Sequence, residues 1–282
     1  MAIFTNQATL SHGDAVSYSN VVQGEILEVL SAEKTALRKT FRAGDRIPYS
    51  IRLVNTGSCD FSGLSMLDTL GSYSFQNVTF VPLTYVEGSL RYSVNGVMGE
   101  APRVHADTSL LISDISVPRK STVELMYEAV INACAPLSAG STIENVATIS
   151  GFGTEPLTAI ATITAEEGAL LILSKSLCPA AVEENGELTY TFVIQNIGNR
   201  EAAENVSITD TFAPALENVA VFYNGMPWTC GENYIYSEQS GLFRTGAGEI
   251  TVPAATYTQS PQSGAFVMTP GVATVQVTGT VS

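Results

Sequence analysis

The chain has 282 residues and a formal net charge of −14 at pH 7. Nucleic acids and anionic membrane surfaces bind basic faces, so this charge argues against either one as a partner. No apolar run approaches the roughly 20 residues that a membrane-spanning helix needs, so we expect no membrane insertion. Met1–Thr5 has neither the basic start nor the apolar stretch of a signal peptide.

The first predicted element is a strand within residues 1–11, and it repeats a segment more than a hundred residues later. Residues 4–11 read FTNQATLS and residues 143–150 read IENVATIS. Side chains of a strand alternate between its two faces, so one face holds the residues Phe4, Asn6, Ala8 and Leu10. We predict a donor strand at residues 1–11, followed by a linker or extension at residues 12–28.

Two copies of one module follow this strand. Residues 34, 49, 55 and 57 match residues 175, 190, 196 and 198 at a constant offset of 141 (175 − 34). Alternating runs such as residues 49–54 and 190–194 have the period of half-buried strands. The apolar run from Val123 to Ala133 could pass for a helix, but its counterpart, residues 274–282, is β-branched and favours a strand. We predict an all-β chain of two tandem Ig-like β-sandwiches, domain 1 (residues 29–151) and domain 2 (residues 169–282), with a linker at residues 152–168.

Domain 2 is predicted to be incomplete. Domain 1 continues through residues 131–150, whereas the second copy stops at Ser282 without that closing strand. An open sheet edge is closed in native proteins by an added strand or a cover. We therefore expect residues 1–11 of one subunit to enter domain 2 of another beside Val275 and Val277. Contacts of this head-to-tail kind produce open filaments, which could also associate laterally.

A buried Lys, Asp and Asn mark the candidate chemistry of domain 1. Strand periodicity places Lys34, Asp68 and Asn145 each on a face with apolar neighbours. An apolar site favours a neutral amine and a protonated carboxyl, so the carboxyl can assist attack of the amine on the Asn amide. The products are a Lys–Asn isopeptide bond and ammonia. The alternatives are a hydrogen-bonded cluster, or a Lys whose ammonium reaches solvent at the strand end.

Domain 2 repeats this chemistry only in part. Lys175 and Asp210 occupy the matching positions, but domain 2 has no matching Asn of its own. The Asn that matches is Asn6 in the donor strand. The predicted second bond therefore joins Lys175 of one subunit to Asn6 of the next, with Asp210 assisting.

Several motifs resemble a known repeat family. They are Ser31–Thr35, Val54–Gly57 after Tyr49, Asp68–Leu70, Val86–Leu90, and Ser174–Ser176 followed by Gln195–Gly198. From about residue 26 onwards the chain resembles the family catalogued as domain of unknown function eleven. That resemblance implies Ig-like modules on bacterial exteriors, including spore appendages, and hence an extracellular location. The Lys, Asn and acid arrangement is similar to that of surface proteins and pili of Gram-positive bacteria.

The residues that remain decide between a fibre and other functions. Four scattered cysteines, Cys59, Cys134, Cys178 and Cys230, lack the spacing of a zinc site, so we expect no metal or other cofactor. They are either small buried apolar residues or partners in disulfides between molecules.

No catalytic triad or phosphate loop is present, so we expect no enzyme. The alternative function is an adhesin that closes its own domain 2 and binds a ligand such as a sugar through Trp228, Tyr234 and Tyr236. We favour a self-assembling bacterial surface filament.

Overall fold

A computed structural model describes residues 2–151 and 155–281. Met1, Ser282 and residues 152–154, where we expected the linker to begin, lie outside these ranges. The described ranges contain β-strands and no helix, which confirms the all-β prediction. The run from Val123 to Ala133 is a strand as predicted, and it extends from Ser121 to Ile131. No helix in the same ranges is long and apolar enough to cross a membrane.

The chain begins with one long hairpin, which we call the N-terminal hairpin. Its strands are β1 (Ala2–Asn6), β2 (Thr9–His12), β3 (Ala15–Tyr18) and β4 (Val22–Ile26). β1 pairs with β4 and β2 with β3, both antiparallel, and Gly13 turns the chain with a φ of +59°. Residues 12–28, which we expected to be a linker, thus contain two strands. The alternating run Ala15–Tyr18 after a Gly13 turn is the local reason.

Domain 1 is a sandwich of two sheets. Its strands are β5 (Leu30–Ala36), β6 (Thr40–Phe41), β7 (Arg46–Asn55), β8 (Phe61–Asp68), β9 (Tyr73–Phe75), β10 (Val78–Phe80), β11 (Leu83–Tyr85), β12 (Arg91–Val94), β13 (Val97–Met98), β14 (Arg103–Ala106), β15 (Leu110–Val117), β16 (Ser121–Ile131), β17 (Thr142–Ser150) and β18 (Leu157–Ala165). One sheet has the order β13-β12-β16-β7-β5, with β11 also on β16, and the other has the order β14-β15-β8-β17-β18-β6. Alternate residues of both sheets fill the core between them.

Residues 157–165, the greater part of the expected linker, belong to domain 1. β18 pairs with β17 from Leu157 to Thr164 and packs across β5. Its alternation explains this, because Ala159, Ala161 and Ile163 are buried while the residues between them are more exposed. Domain 1 therefore ends with a hairpin, β17–β18, rather than with a single closing strand.

Domain 2 has a full first sheet and a short second one. Its strands are β19 (Leu171–Cys178), β20 (Glu187–Asn196), β21 (Thr209–Thr211), β22 (Leu216–Tyr223), β23 (Met226–Trp228), β24 (Tyr234–Ser237), β25 (Leu242–Thr245), β26 (Thr256–Gln259), β27 (Phe266–Thr269) and β28 (Gly271–Val281). The first sheet, β19-β20-β28-β22-β23, matches β5-β7-β16-β12-β13 of domain 1. The second sheet, β21-β25-β24, matches β8-β15-β14 and has no counterpart of β17 and β18 among the described residues.

A hairpin of domain 2 packs against domain 1. Strands β26 and β27 form a hairpin, which we call the arm, in the segment between Val252 and β28. The Phe266 amide donates to the Ala133 carbonyl at 2.9 Å. The Phe80 ring lies so close to Gly264, at the tip of the arm, that a Cβ there would come within 2.1 Å of it. The described part of domain 1 has no such arm, because only residues 118–120 connect β15 to β16, the strands that match β25 and β28.

Candidate functional site

The structure brings together the predicted Lys and Asp of domain 1. Lys34 lies on β5 and Asp68 at the end of β8, on the facing sheet. The Lys34 Nζ atom donates to Asp68 Oδ2 at 2.6 Å, and both side chains are fully buried. Asp68 Oδ1 accepts from the Leu70 amide at 3.0 Å. Burial of this kind is costly unless each charge has a partner, and here each charge has one.

Asn145 joins this pair through Tyr127, a residue that the sequence analysis did not identify. The Tyr127 hydroxyl donates to Asp68 Oδ2 at 2.5 Å, and Asn145 Nδ2 donates to the Tyr127 oxygen at 3.0 Å. Asn145 Oδ1 accepts from the Gly71 amide at 3.1 Å. The four side chains Lys34, Asp68, Tyr127 and Asn145 thus form one buried chain of hydrogen bonds, which we call the domain 1 cluster.

Burial controls the protonation of the domain 1 cluster. It lowers the pKa of Lys34 to about 8, although the nearby Asp68 carboxylate acts in the opposite direction. Burial also raises the pKa of Tyr127 well above its usual value, and the charge of Asp68 raises it further. A Lys with a lowered pKa yields its neutral, nucleophilic form more readily than an exposed Lys does.

Tyr49 packs beside the cluster without joining its chain of hydrogen bonds. Its ring stacks on Tyr127 at a centroid distance of 5.4 Å, and Lys34 Nζ lies 5.2 Å from its centroid. The Tyr49 hydroxyl is buried without a hydrogen bond of normal geometry, although Asn145 lies beside it. Both tyrosine rings help to exclude water from Lys34.

Domain 2 holds the matching pair in a more open setting. Lys175 Nζ and Asp210 Oδ2 are hydrogen-bonded, with side chains 38% and 21% exposed, whereas their counterparts in domain 1 have zero exposure. Lys175 Nζ lies 4.3 Å from the ring centroid of Tyr190, and the rings of Phe192 and Phe212 also face it. The residue paired with Tyr190 on the next strand is Val277, at the position of Tyr127 beside Tyr49.

The inner face of β19 is open because nothing in the described chain takes the place of β18. Lys175 shares this face with Leu171, Leu173 and Leu177, which are 37%, 54% and 39% exposed. Two of their counterparts on β5, Leu30 and Ala36, are 9% and 0% exposed, and Ala32 is partly buried. We call the face formed by Leu171, Leu173, Lys175 and Leu177 the open face.

The β1–β4 half of the N-terminal hairpin copies β17–β18 in register as well as in sequence, whereas the β2–β3 half is displaced by one residue. Asn6 pairs with Val22, and Asn145 pairs with Ala161, so both positions shift by 139 residues (145 − 6 and 161 − 22). Phe4 pairs with Gly24 as Ile143 pairs with Ile163. The Phe4 ring lies so close to Gly24 that a Cβ at Gly24 would come within 2.3 Å of it. The missing side chain of one residue thus makes room for the larger ring of the other.

Nothing covers the N-terminal hairpin in the described chain. Phe4 is 52% exposed and Leu10 is 69% exposed, and Asn6 and Ala8 are exposed as well. The structure therefore does not bring Asn6 to Lys175 within one chain. An exposed apolar strand face of this kind commonly marks an interaction surface.

The other residues predicted to form a slot or a ligand site lie away from the open face. Val275 and Val277, expected beside the open slot, are fully buried in the core of domain 2, in one cluster with Tyr234 and Phe243 of strands β24 and β25. The open face lies on β19 instead. Tyr234 is buried in the same core, and the Trp228 ring stacks on Tyr223 at 5.0 Å. Tyr236 donates its hydroxyl proton to the Leu216 carbonyl. The three aromatic residues of the adhesin alternative therefore pack or bond within domain 2.

The four cysteines are free thiols and form no disulfide within the described residues. They are Cys59, Cys178 and Cys230, which are exposed, and Cys134, which is partly buried. Burial raises the pKa of Cys134. Three of the four are therefore not small buried residues, and they remain accessible to a thiol of another molecule.

No family model and no curated protein matches this sequence. Among solved structures, the chain is similar to the major pilin subunit of Bacillus cereus, with 11% identity, a TM-score of 0.37, and coverage of 99% of this chain and 74% of that one. It is also similar to a C-terminal fragment of the major pilin of Streptococcus agalactiae, with 10% identity, a TM-score of 0.40, and coverage of 87% and 80%. The pilus backbone of Streptococcus pneumoniae has 12% identity and a TM-score of 0.36, and this chain, with 86% of it aligned, covers 55% of that protein. At these values the likeness bears on no functional conclusion.

Proposed function

We propose that this protein is a structural subunit of an extracellular bacterial filament, on a spore or a cell surface. It polymerises when the N-terminal hairpin of one subunit docks on the open face of domain 2 of the next. The observation that carries the proposal is that β1 and β4 repeat the pairing register of β17 and β18, while the described residues of domain 2 provide no counterpart of those two strands. The motifs that resemble domain of unknown function eleven support the location.

The docked arrangement follows from domain 1. Ala147 of β17 pairs with Asp68 of β8, so the same register pairs Ala8 with Asp210. Asn6 then stands at the position of Asn145, next to Lys175. Docking would bury Phe4 and Leu10 against the apolar residues of the open face, and each such burial is worth about 1.5–3 kcal/mol.

Chain connectivity favours docking between subunits. Residues 27–29 alone separate β4 from β5, so the N-terminal hairpin leaves domain 1 at the Leu30 end of β5. Domain 2 joins at the other end, where Asn199 donates to the Leu137 and Glu166 carbonyls. A hairpin that closed its own domain 2 would have to run back across domain 1. The self-closing adhesin is therefore the second candidate, and it has no observation of its own in its favour.

Covalent bonds would lock the filament. In each domain the Lys amine attacks the Asn side-chain carbon, which forms a Lys–Asn amide and releases ammonia without a cofactor. Groups fixed side by side reach effective molarities of about 10⁵–10⁸ M, which makes an amide a sufficient electrophile. The Lys34–Asn145 bond stays inside one subunit, and the Lys175–Asn6 bond joins two. The exposed thiols Cys59, Cys178 and Cys230 would permit disulfides between laterally associated filaments.

A mixing experiment tests the intersubunit bond. Asn6→Ala subunits keep the acceptor Lys175 but have no donor Asn, and Lys175→Ala subunits have the reverse defect. Each variant alone should stay without crosslinks between subunits on a reducing denaturing gel, and the mixture should give a crosslinked dimer and nothing larger. Wild type should give a ladder. Asn20→Ala, in the same hairpin, is the matched control and should keep the ladder.

Three outcomes would contradict parts of the proposal. A wild-type monomer that lacks two ammonias, with no dimer from the mixture, would mean that the hairpin closes its own domain 2. If a chain without residues 1–26 still gives the ladder that wild type gives, another surface joins the subunits. Wild type that forms neither a ladder nor filaments by electron microscopy at high concentration would refute polymerisation.

A further inference from the structure

Tyr127 lies between Asp68, the acid of the domain 1 cluster, and the Asn145 side-chain nitrogen, which has to leave as ammonia. Asp68 Oδ2 accepts from Lys34 Nζ at 2.6 Å and from the Tyr127 hydroxyl at 2.5 Å. Among the hydrogen bonds of the described residues, none joins Asp68 to Asn145. The Asn145 nitrogen instead contacts the Tyr127 oxygen at 3.0 Å. A proton held by Asp68 can therefore reach that nitrogen only through Tyr127.

The carbonyl side of Asn145 has its own partner. The Gly71 amide donates to Asn145 Oδ1 at 3.1 Å, and both groups are buried. A backbone N–H in this position stabilises the negative charge that develops on the oxygen when a nucleophile attacks the carbon. Gly71 has a φ of +71°, and a Cβ there would come within 2.4 Å of Ile143, so glycine is needed to place this N–H.

We infer that Tyr127 relays a proton from Asp68 to the departing nitrogen of Asn145, and that the Gly71 N–H holds the oxyanion, when the Lys34–Asn145 bond forms. The inference rests on the isopeptide bond proposed above. It assigns a role to two residues that are not themselves joined by that bond.

The steps balance without any other reactant. The Lys34 ammonium gives one proton to the Asp68 carboxylate, and the neutral amine forms a bond to the Asn145 side-chain carbon. The carbonyl electron pair moves to Oδ1, next to the Gly71 N–H. Tyr127 then gives its proton to Nδ2 and takes one from Asp68, the carbon–nitrogen bond breaks, and ammonia leaves. Asp68 finally accepts the surplus proton from the new amide nitrogen and ends as a neutral acid.

The relay fits the protonation of the groups around it. The raised pKa of Tyr127 means that it does not stay ionised after giving up a proton, so it is suited to pass a proton on. Domain 2 has no matching hydroxyl, because Val277 takes the position beside Tyr190. The relay is therefore a feature of the bond within the subunit, and the Lys175 site would have to transfer its proton from Asp210 directly.

The test uses the full chain made by cell-free synthesis, with Asn6→Ala present throughout so that only the Lys34 bond can release ammonia. Intact mass under denaturing conditions, taken at intervals after synthesis, measures the rate. Tyr127→Phe should slow the loss of ammonia by about 100-fold or more, the usual contribution of a positioned general acid. Tyr49→Phe is the matched control, since it also removes a buried tyrosine hydroxyl but one without a bond to Asp68. Its rate should stay within about threefold of the parent rate.

The outcomes separate the relay from the bond itself. A parent chain that never loses ammonia overturns the isopeptide bond and the relay with it. A Tyr127→Phe chain that loses ammonia at the parent rate overturns the relay alone. If Tyr127→Phe fails to fold, as judged by its thermal unfolding, 3-fluorotyrosine placed at position 127 keeps the size and the hydroxyl but strengthens the acid. A relay predicts a rate change of about twofold or more, and an unchanged rate overturns it.

Discussion

The Lys34–Asn145 bond should stabilise domain 1 by an amount that can be worked out from its position in the chain. The bond closes a loop of 111 residues (145 − 34). The loop-entropy relation used for covalent crosslinks gives about 5 kcal/mol for a loop of this length. For a domain of about 135 residues, this corresponds to a fall in Tm of about 15–20 °C when the bond is absent.

A double-mutant cycle isolates this bond from the other contacts of the two residues. Lys34→Met and Asn145→Ala each remove the whole bond, so the double variant should cost about 5 kcal/mol less than the sum of the single variants. Lys34→Met should be the more costly single change, because it also leaves Asp68 buried without its cation. The assay is calorimetry in an Asn6→Ala background, in which domain 2 serves as an internal reference.

The cycle can refute the reasoning in a clear way. If the two single costs add within about 0.5 kcal/mol, the residues share no bond, even though they lie in one buried cluster. If the Asn6→Ala parent chain has lost one ammonia but the coupling is below about 1 kcal/mol, the bond exists and its loop-entropy benefit is cancelled by strain.

Two further predictions follow from the protonation of the cluster and from the open face. In an Asn145→Ala chain, the lowered pKa of Lys34 means that the unfolded state binds more protons above pH 8, so unfolding free energy should rise by about 2–3 kcal/mol from pH 8 to 10. The unfolding free energy should fall again above pH 10, because tyrosines lose their protons in the unfolded state while Tyr127, with its raised pKa, keeps its proton in the folded state. Urea titrations measure this, and Lys34→Met in the same chain should abolish the rise. On the open face, Leu173→Glu should abolish polymerisation, measured by electron microscopy, with a Tm change of about 2 °C or less. Ile172→Glu, on the opposite face of β19, is the control, and polymer loss in both variants would contradict the assigned face.

The sequence predicted those parts of the site that the repeat and the strand period determine. The repeat between the two copies identified both Lys–Asp pairs, and alternation placed Lys34, Asp68 and Asn145 on inward faces. The structure joins those three residues in one hydrogen-bonded chain. The alternation along a strand shows which side chains point inward, but it does not show which of them touch across the sandwich. The direct contact of Lys34 with Asp68 therefore could not be predicted.

Comparison of the two copies could not identify Tyr127, because domain 2 has no tyrosine at the matching position. Its neighbours in sequence alternate as an ordinary core strand, and the matching residue in domain 2 is Val277. A tyrosine that points into a core in which a Lys and an Asp are also expected is the signal that could have found it, since a buried hydroxyl needs a hydrogen-bond partner.

The strands β3, β4 and β18 were missed for a different reason. β3 and β4 are short, and the sequences of β3 and β4 are only weakly similar to that of β18, so the repeat did not reveal them. They lie in segments that we expected to be linkers, and pairing with β1, β2 and β17 is what makes them strands. Sheet neighbours decide the state of such segments more than local preference does.

The arm has a mechanical consequence for a filament of the kind proposed. Within a subunit, the arm ties domain 2 to domain 1 next to Phe80 and Ala133. Between subunits, the next domain 1 offers only residues 118–120 at the equivalent place, too few to form such a contact. Bending should therefore be concentrated at every second junction, so that the fibre flexes as a chain of stiff two-domain rods. A pulling force would act on the hairpin joints in series, and each joint would depend on its Lys175–Asn6 bond to hold.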